Sequence, residues 1–194
     1  MSGTHFDIIK EIRDLEKQSG SEKYQIAAKM LVRDDKGGTV TFSRPNIKLE
    51  NLSPALDKMG TLGGASDTVH AETAVTMGAP YTENADLYVT DPLCPNCMKN
   101  VIEAGYKRIF IDNRGFLKSW YHKRGPYFDR ISLKMAEMAG LEVKVVSPDT
   151  RTLKDLIKTA SKNTLSVQEH PPEIIKLQQM HPLDTLTDET HTTF

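Results

Sequence analysis

Two short motifs limit the structures open to this sequence: a His-x-Glu at residues 70–72 and a Cys-x-x-Cys at residues 94–97. Histidine nitrogen and cysteine sulfur are ligands that Zn²⁺ prefers, and three protein ligands leave the fourth tetrahedral position open, as in catalytic rather than structural zinc sites. We therefore expect His70, Cys94 and Cys97 to bind one Zn²⁺ ion. Glu72 is then the expected proton carrier, placed beside the metal but outside its ligand shell.

The two cysteines of these motifs are the only cysteines in the chain, and they allow a second interpretation. A Cys-x-x-Cys can also be a redox-active dithiol or a disulfide. The upstream His-x-Glu favours the metal site, because each of the two motifs stands at the start of a predicted helix.

The local sequence predicts how the two motifs are held. Asp67 or Thr68 is suited to cap a short helix that runs to Gly78, which places the His-x-Glu motif in its first turn. A strand is predicted over residues 87–91, and Pro95 is suited to the first position of the helix that follows. Cys94 and Cys97 then share one face of that helix, whose N-terminus favours thiolates.

The rest of the chain alternates between helical and strand patterns. Helices are predicted over residues 4–19, 52–59 and 127–139, a hairpin over 24–44, and strands over 108–112 and 141–146. This order predicts an α/β fold, a mixed sheet with helices on both faces.

We expect a single core domain with appendages. Residues 1–20 form an N-terminal helix packed on the core, residues 21–147 form the domain that carries the metal site, and residues 148–194 form a helical appendage with a polar tail. The last segment is set apart by a shift in composition, a Pro-Pro break at residues 171–172 and a threonine-rich end.

Charge and hydropathy indicate the class of partner. The formal net charge of -1 provides no general attraction to nucleic acid, so a small-molecule substrate is favoured. One local segment, residues 118–124 with Trp120, gathers basic and aromatic side chains; it could stack on a base or grip a phosphate, or be a solvated, partly packed loop. No secretion signal and no long apolar run is present, so we expect a cytoplasmic protein without a membrane segment.

Four stretches of the sequence carry a resemblance to a known family: residues 70–72, 87–90, 94–97 and 103–109. Over about residues 24–146 the chain resembles the cytidine and deoxycytidylate deaminase superfamily of zinc-dependent nucleobase deaminases, and most of all its bacterial deoxycytidylate-deaminase-like members. The resemblance implies an α/β/α sandwich of three layers around a mixed sheet of roughly five strands. It also implies a homo-oligomer, with Zn²⁺ on His70, Cys94 and Cys97 and proton transfer by Glu72. Substrate contacts are expected at Asn46, Ala71, Pro92 and Trp120.

The sequence departs from the family pattern at two places that bear on the substrate. Leu93 stands between Pro92 and Cys94, where the family usually has proline directly before the first cysteine, and residues 43–47 differ from the usual surroundings of the sugar-binding asparagine. We expect hydrolytic deamination of cytosine in a nucleotide such as deoxycytidylate. The alternatives are adenosine or cytidine deamination in RNA or single-stranded DNA, and deamination of another amino-heterocycle such as a purine base.

A third hypothesis belongs to a different class of protein: a binding module that zinc stabilises and that has lost catalysis. A structural zinc site needs a fourth protein ligand and has no use for a proton carrier, so Glu72 argues against this hypothesis.

Overall fold

The computed structural model describes residues 4–22, 24–33, 38–50, 67–118 and 127–146. Four α-helices lie in these ranges: α1 (His5–Leu15), α2 (Ala71–Gly78), α3 (Pro95–Glu103) and α4 (Tyr127–Met138). The strands are β1 (Ala27–Arg33), β2 (Thr39–Pro45), β3 (Ile47–Lys48), β4 (Thr68–Val69), β5 (Asp86–Val89), β6 (Arg108–Asp112) and β7 (Glu142–Val146). Two 3-10 segments, Glu16–Gln18 and Asn113–Leu117, follow α1 and β6.

Five strands form the main sheet in the order β2-β1-β5-β6-β7. The β1 strand pairs antiparallel with both β2 and β5, whereas β5, β6 and β7 run parallel to one another. The sheet is therefore mixed, as the sequence predicted. The short strands β3 and β4 pair antiparallel in a separate two-stranded sheet.

Helices cover both faces of the main sheet. On one face, Ile9 and Ile12 of α1 pack against Tyr88 and Phe110, because their spacing places them on one side of the helix. The other face packs against α2, α3 and α4 through a larger core that includes Val75, Met98, Val101 and Ala136. The predicted three-layer α/β/α architecture is confirmed.

The central strand β5 is buried along its whole length, which is the expected state of a strand flanked by neighbours and covered on both faces. The β5 and β6 strands are in register from Asp86 opposite Arg108 to Val89 opposite Ile111, so they end at the same edge of the sheet. Ligand sites in sheets with parallel strands form at this carboxyl edge. The loop from β5 to α3, which carries Cys94, leaves the sheet there.

One predicted boundary is wrong. Asp67 and Thr68 do not cap α2; Thr68 and Val69 form β4, and the N-cap residue is His70. Pairing of β4 with β3 holds this backbone extended, so the helix starts only after it. The predicted helix over residues 52–59 and the appendage over 148–194 lie outside the described residues. Within the described ranges, no helix has the length and apolar character needed to span a membrane.

Candidate metal centre

His70 and Cys94 occupy equivalent places in the fold, because each is the N-cap residue of a helix. His70 precedes α2 and Cys94 precedes α3, and both have extended backbone conformations. Cys97 lies in the first turn of α3, where Pro95 starts the helix at a position that needs no backbone donor. The backbone N–H of Cys97 donates to the Sγ of Cys94 over 3.4 Å, which fixes the two sulfurs relative to each other.

The three predicted ligands meet at one point. The Nδ1 atom of His70 is 3.3 Å from the Sγ of Cys97 and 3.7 Å from the Sγ of Cys94. All three ligand atoms lie within 4.8 Å of one another, and among the described residues this is the one group of three metal-binding side chains. The structure thus brings His70 next to the two cysteines, which lie some two dozen positions further along the chain.

These distances fit a tetrahedral zinc ion. With Zn–S bonds of about 2.3 Å and Zn–N bonds of about 2.0 Å, neighbouring ligand atoms of a tetrahedron are about 3.5 to 3.8 Å apart. The N···S distances of 3.3 and 3.7 Å are close to that range. The donor set of one imidazole and two thiols also suits Zn²⁺, and three ligands leave one coordination position for another molecule.

Electrostatics in the cluster favour a thiolate. A hydrogen bond from Cys97, helped by one from His70, lowers the pKa of Cys94 to about 4 in spite of its burial. The same interaction raises the pKa of Cys97, and burial and the charge of Glu72 raise it further. Cys94 therefore favours the thiolate, which is the form that binds a metal.

Glu72 is a buried carboxylate in the first turn of α2. Its side chain is 2% exposed, which is unusual for a residue that carries a charge. Its charge acts on the pKa of Cys97, so the carboxylate is electrostatically coupled to the cluster. The three ligand atoms of the cluster do not include it. This arrangement suits a group that exchanges protons beside a metal.

A hydroxyl and an amide support Cys97 from outside the cluster. The Oγ1 atom of Thr73 lies 3.5 Å from the Sγ of Cys97, and the Nδ2 atom of Asn100 donates to Thr73 Oγ1 over 3.1 Å. The sequence interpretation did not include either residue. Thr73 is three positions after His70 and Asn100 three after Cys97, so helical periodicity was the available signal for both.

Three of the four predicted substrate contacts, Asn46, Ala71 and Pro92, lie around the start of α2 and the loop before Cys94. Asn46 is 2% exposed and uses both ends of its amide: Oδ1 accepts from the backbone N–H of Ala71 over 2.7 Å, and Nδ2 donates to the carbonyl of Tyr24 over 2.6 Å. Ala71 and Pro92 are buried. In this structure, Asn46 connects the β2–β3 junction to α2; substrate contact by these three residues stays a prediction.

The predicted basic and aromatic segment is described only at its first residue. Trp120 lies outside the described residues. The ammonium of Lys118 is bonded to Asp91, Glu16 and a backbone carbonyl, so this cation holds parts of the protein together instead of facing a nucleic acid.

No known protein-family profile matches the sequence, and no curated protein is significantly similar to it. Among solved structures, the fold is similar to the dCMP deaminase from the cyanophage S-TIM5 in apo form, with a TM-score of 0.50, 14% identity, and coverage of 73% of this chain and 96% of that one. For the same phage enzyme in complex with dCMP and dUMP, the TM-score is 0.49 and the identity 13%, and the match covers 75% of this chain and 100% of that one. For a structure from a study of A-to-I editing by tRNA:A34 deaminases, the TM-score is 0.36 and the identity 19%, and the match covers 73% of this chain and 97% of that one. The likeness to the apo phage enzyme shows that this chain has the cytidine deaminase-like fold.

Proposed function

We propose that this protein is a zinc-dependent deaminase that hydrolyses the exocyclic amine of a nucleobase, with cytosine in a nucleotide such as deoxycytidylate as its first candidate substrate. The observation that carries the proposal is that the ligand atoms of His70, Cys94 and Cys97 lie within 4.8 Å of one another. The buried Glu72 follows His70 by two residues, in the first turn of α2. The cluster stands on a fold shared with a dCMP deaminase, and that likeness supports the choice of substrate.

The ligands would be Nδ1 of His70 and the two cysteine sulfurs. A zinc ion bound by three protein ligands acts as a Lewis acid and lowers the pKa of a bound water to about 7. The two helix N-termini add partial positive charge, which favours both sulfurs as thiolates.

Glu72 would move the protons. Its carboxylate takes a proton from the attacking water and delivers it to the ring nitrogen next to the carbon that bears the amine. The oxygen of water becomes bonded to that carbon, and Glu72 then passes the second proton to the amine. The C–N bond breaks with its electron pair on nitrogen, so ammonia leaves and a carbonyl remains. One water is consumed, and no oxidant or reductant is needed.

Burial of Glu72 is consistent with this role. A buried carboxylate is shielded from bulk water, so it exchanges protons with a bound reactant rather than with the solvent. The hydroxyl of Thr76 donates to the Glu72 backbone carbonyl over 2.8 Å, and the backbone amide of Ala74 to that of His70. The backbone that carries the carboxylate is thereby ordered.

The proposal is tested by an ammonia-release screen of the zinc-loaded protein against free bases, nucleosides and nucleotides. Release from deoxycytidylate, and none from the purine bases, is the expected result. Release from adenosine or cytidine only within an RNA stem-loop or single-stranded DNA would replace the nucleotide substrate by a nucleic acid. A protein that binds zinc but releases ammonia from none of these would be a zinc-stabilised binding module.

A further inference from the structure

Asp91 is a fully buried carboxylate located three residues before Cys94. It follows β5 at the carboxyl edge of the sheet, and its side chain is 0% exposed. A carboxylate out of contact with water is costly unless it is paired, and Asp91 accepts a hydrogen bond through Oδ1 from the ammonium of Lys118 over 2.5 Å. The loop that carries the first thiol therefore contains a buried carboxylate, paired with the partly buried Lys118, that the proposed chemistry does not use.

Lys118 connects three separate parts of the chain. Besides Asp91, its Nζ atom donates to Oε1 of Glu16 over 2.6 Å and to the carbonyl of Gln25 over 2.9 Å. Three donors are all that a lysine ammonium has, so each proton has a partner. The loop before Cys94, the segment before β1 and the end of the N-terminal helical region are thus held by one cation.

The 3-10 segment Asn113–Leu117 lies directly on the same loop. A Cβ atom at Gly115 would be 2.5 Å from the carbonyl oxygen of Thr90, 2.7 Å from the Cα of Asp91 and 3.0 Å from Pro92, so only glycine permits this approach. The backbone of Gly115 thus rests against the backbone of residues 90–92, and this contact prevents the loop before Cys94 from moving closer to the 3-10 segment.

The N-terminal helix in turn fixes that segment. Asp112 caps it by accepting from the backbone N–H of Arg114 over 3.0 Å. The same carboxylate receives both ends of the Arg13 guanidinium, over 2.6 and 2.7 Å. Bidentate pairs of this kind constrain direction as well as distance. A continuous set of contacts therefore runs from α1 to the loop before Cys94.

We propose that Asp91 and Lys118 are positioning residues of the metal site, which hold residues 90–94 in place and so set the position of the Cys94 thiol. The inference rests on the proposed function, since it takes Cys94 as a metal ligand. Little flexibility separates Asp91 from that ligand, because the ring of Pro92 restricts the backbone and Leu93 is anchored in the core. Ion pairs removed from water contribute little net stability compared with apolar residues in the same place. Stability alone therefore does not account for the Asp91–Lys118 pair.

The test uses Co²⁺ as the probe, because its visible absorption reports tetrahedral thiolate coordination directly. The variants are K118M, which keeps the apolar stem but removes the cation, K118R, which restores a cation, and E16Q, which leaves the Asp91–Lys118 pair intact. The matched control is E11Q, which breaks the Lys29–Glu11 ion pair that joins α1 to β1 away from the metal loop. Affinity and spectrum are measured at a temperature where each variant is folded by circular dichroism.

We expect K118M to bind Co²⁺ about tenfold more weakly than wild type with shifted absorption bands, which is the size of effect typical of groups that orient metal ligands. K118R should recover most of the affinity, E16Q should weaken binding in the same direction by a smaller factor, and E11Q should match wild type. If K118M does not fold, D91N takes its place, because it removes the charge of the other member of the pair at nearly constant size, and it should weaken Co²⁺ binding in the same way. Wild-type affinity and spectrum in K118M or, failing that, in D91N would overturn the inference, as would an equal loss in E11Q. Failure of the wild-type protein to bind Co²⁺ one to one would instead contradict the proposed function.

Discussion

The hydroxyl of Thr73 lies 3.5 Å from the Sγ of Cys97 while it accepts a hydrogen bond from Nδ2 of Asn100. An amide nitrogen can only donate, so the Thr73 oxygen is the acceptor in that bond, and its own proton remains available for a hydrogen bond to the sulfur. A hydroxyl that donates to Cys97 stabilises the thiolate, which is the form that binds a metal.

Replacement of Thr73 by valine removes this hydrogen bond with little change in shape. We expect T73V to bind Zn²⁺ about 10 to 100-fold more weakly than wild type, measured by competition with a chromophoric chelator. The matched control is T82V, which loses a hydroxyl bond to the carbonyl of Ala104 away from the cluster. Equal zinc affinity in T73V, T82V and wild type would show that Thr73 does not support the ligand.

Replacement of Glu72 by glutamine separates proton transfer from metal binding. Glutamine keeps the size of the buried side chain but does not exchange protons, so E72Q should turn over about 10² to 10⁴-fold more slowly. Its zinc content, measured by mass spectrometry, should stay at one ion per chain, because Glu72 is not among the three clustered ligands. Near-normal turnover in E72Q would refute the assignment of proton transfer, and loss of zinc would make Glu72 a ligand.

Removal of the Asn46 amide should loosen the start of α2. N46A leaves the buried Ala71 N–H without the Asn46 acceptor and removes one of two hydrogen bonds to the Tyr24 carbonyl, the other coming from the Ser19 hydroxyl. A buried N–H without an acceptor costs about 1 to 3 kcal/mol, so the free energy of unfolding in urea should fall by about that much. N100A removes an exposed asparagine of α3 and should change the unfolding free energy by no more than about 0.5 kcal/mol. If N46A and wild type have equal free energies of unfolding in urea, the hydrogen bonds of Asn46 do not hold the start of α2.

The buried Asp91 should give the protein a specific pH dependence of stability. Burial raises the pKa of Asp91 from 3.8 to about 7, against the opposing attraction of Lys118 and with smaller contributions from Glu16 and Glu72. The folded chain therefore binds a proton at Asp91 more readily than the unfolded chain does. The stability that Asp91 contributes through this difference is complete below the unfolded pKa and is lost as the pH rises through about 7.

D91N should consequently gain stability relative to wild type as the pH rises from about 4 to 8, by an amount on the order of a few kcal/mol. Urea unfolding of both proteins across that range measures the difference. D14N changes an exposed aspartate, whose hydrogen bond from Lys17 lowers its pKa, and should show no such gain. A constant difference between D91N and wild type would contradict a raised pKa at Asp91.

Much of the fold could be predicted because it depends on local patterns. The spacing of apolar residues gave α1, and Pro95 and Gly105 bracket α3, where Gly105 adopts a positive φ of 74° just after the helix. The β4 strand was missed, because Thr68 and Val69 are extended only through pairing with β3, a partner some twenty positions away. A local pattern contains no information about such a pair.

The cluster of His70, Cys94 and Cys97 could be predicted, but the groups around it could not. Histidine and cysteine have few uses at that spacing, and the resemblance to zinc-dependent deaminases indicated the same three residues. Asp91 and Lys118 are common residue types whose role depends on a contact between distant positions. Asn46 was predicted to contact substrate, and its hydrogen bonds to Ala71 and Tyr24 became visible only in three dimensions.

If His70, Cys94 and Cys97 bind zinc as proposed, removal of the metal should abolish deamination and its return should restore it. The test follows ammonia release from deoxycytidylate by a single preparation, first with zinc, then after a chelator has removed it, and again after zinc is restored. We predict one zinc per chain with ammonia release in the first and third states and none in the second, and no zinc or release at any stage in C94A. Ammonia release that persists without zinc, or that C94A retains, would contradict a zinc-dependent reaction at this cluster.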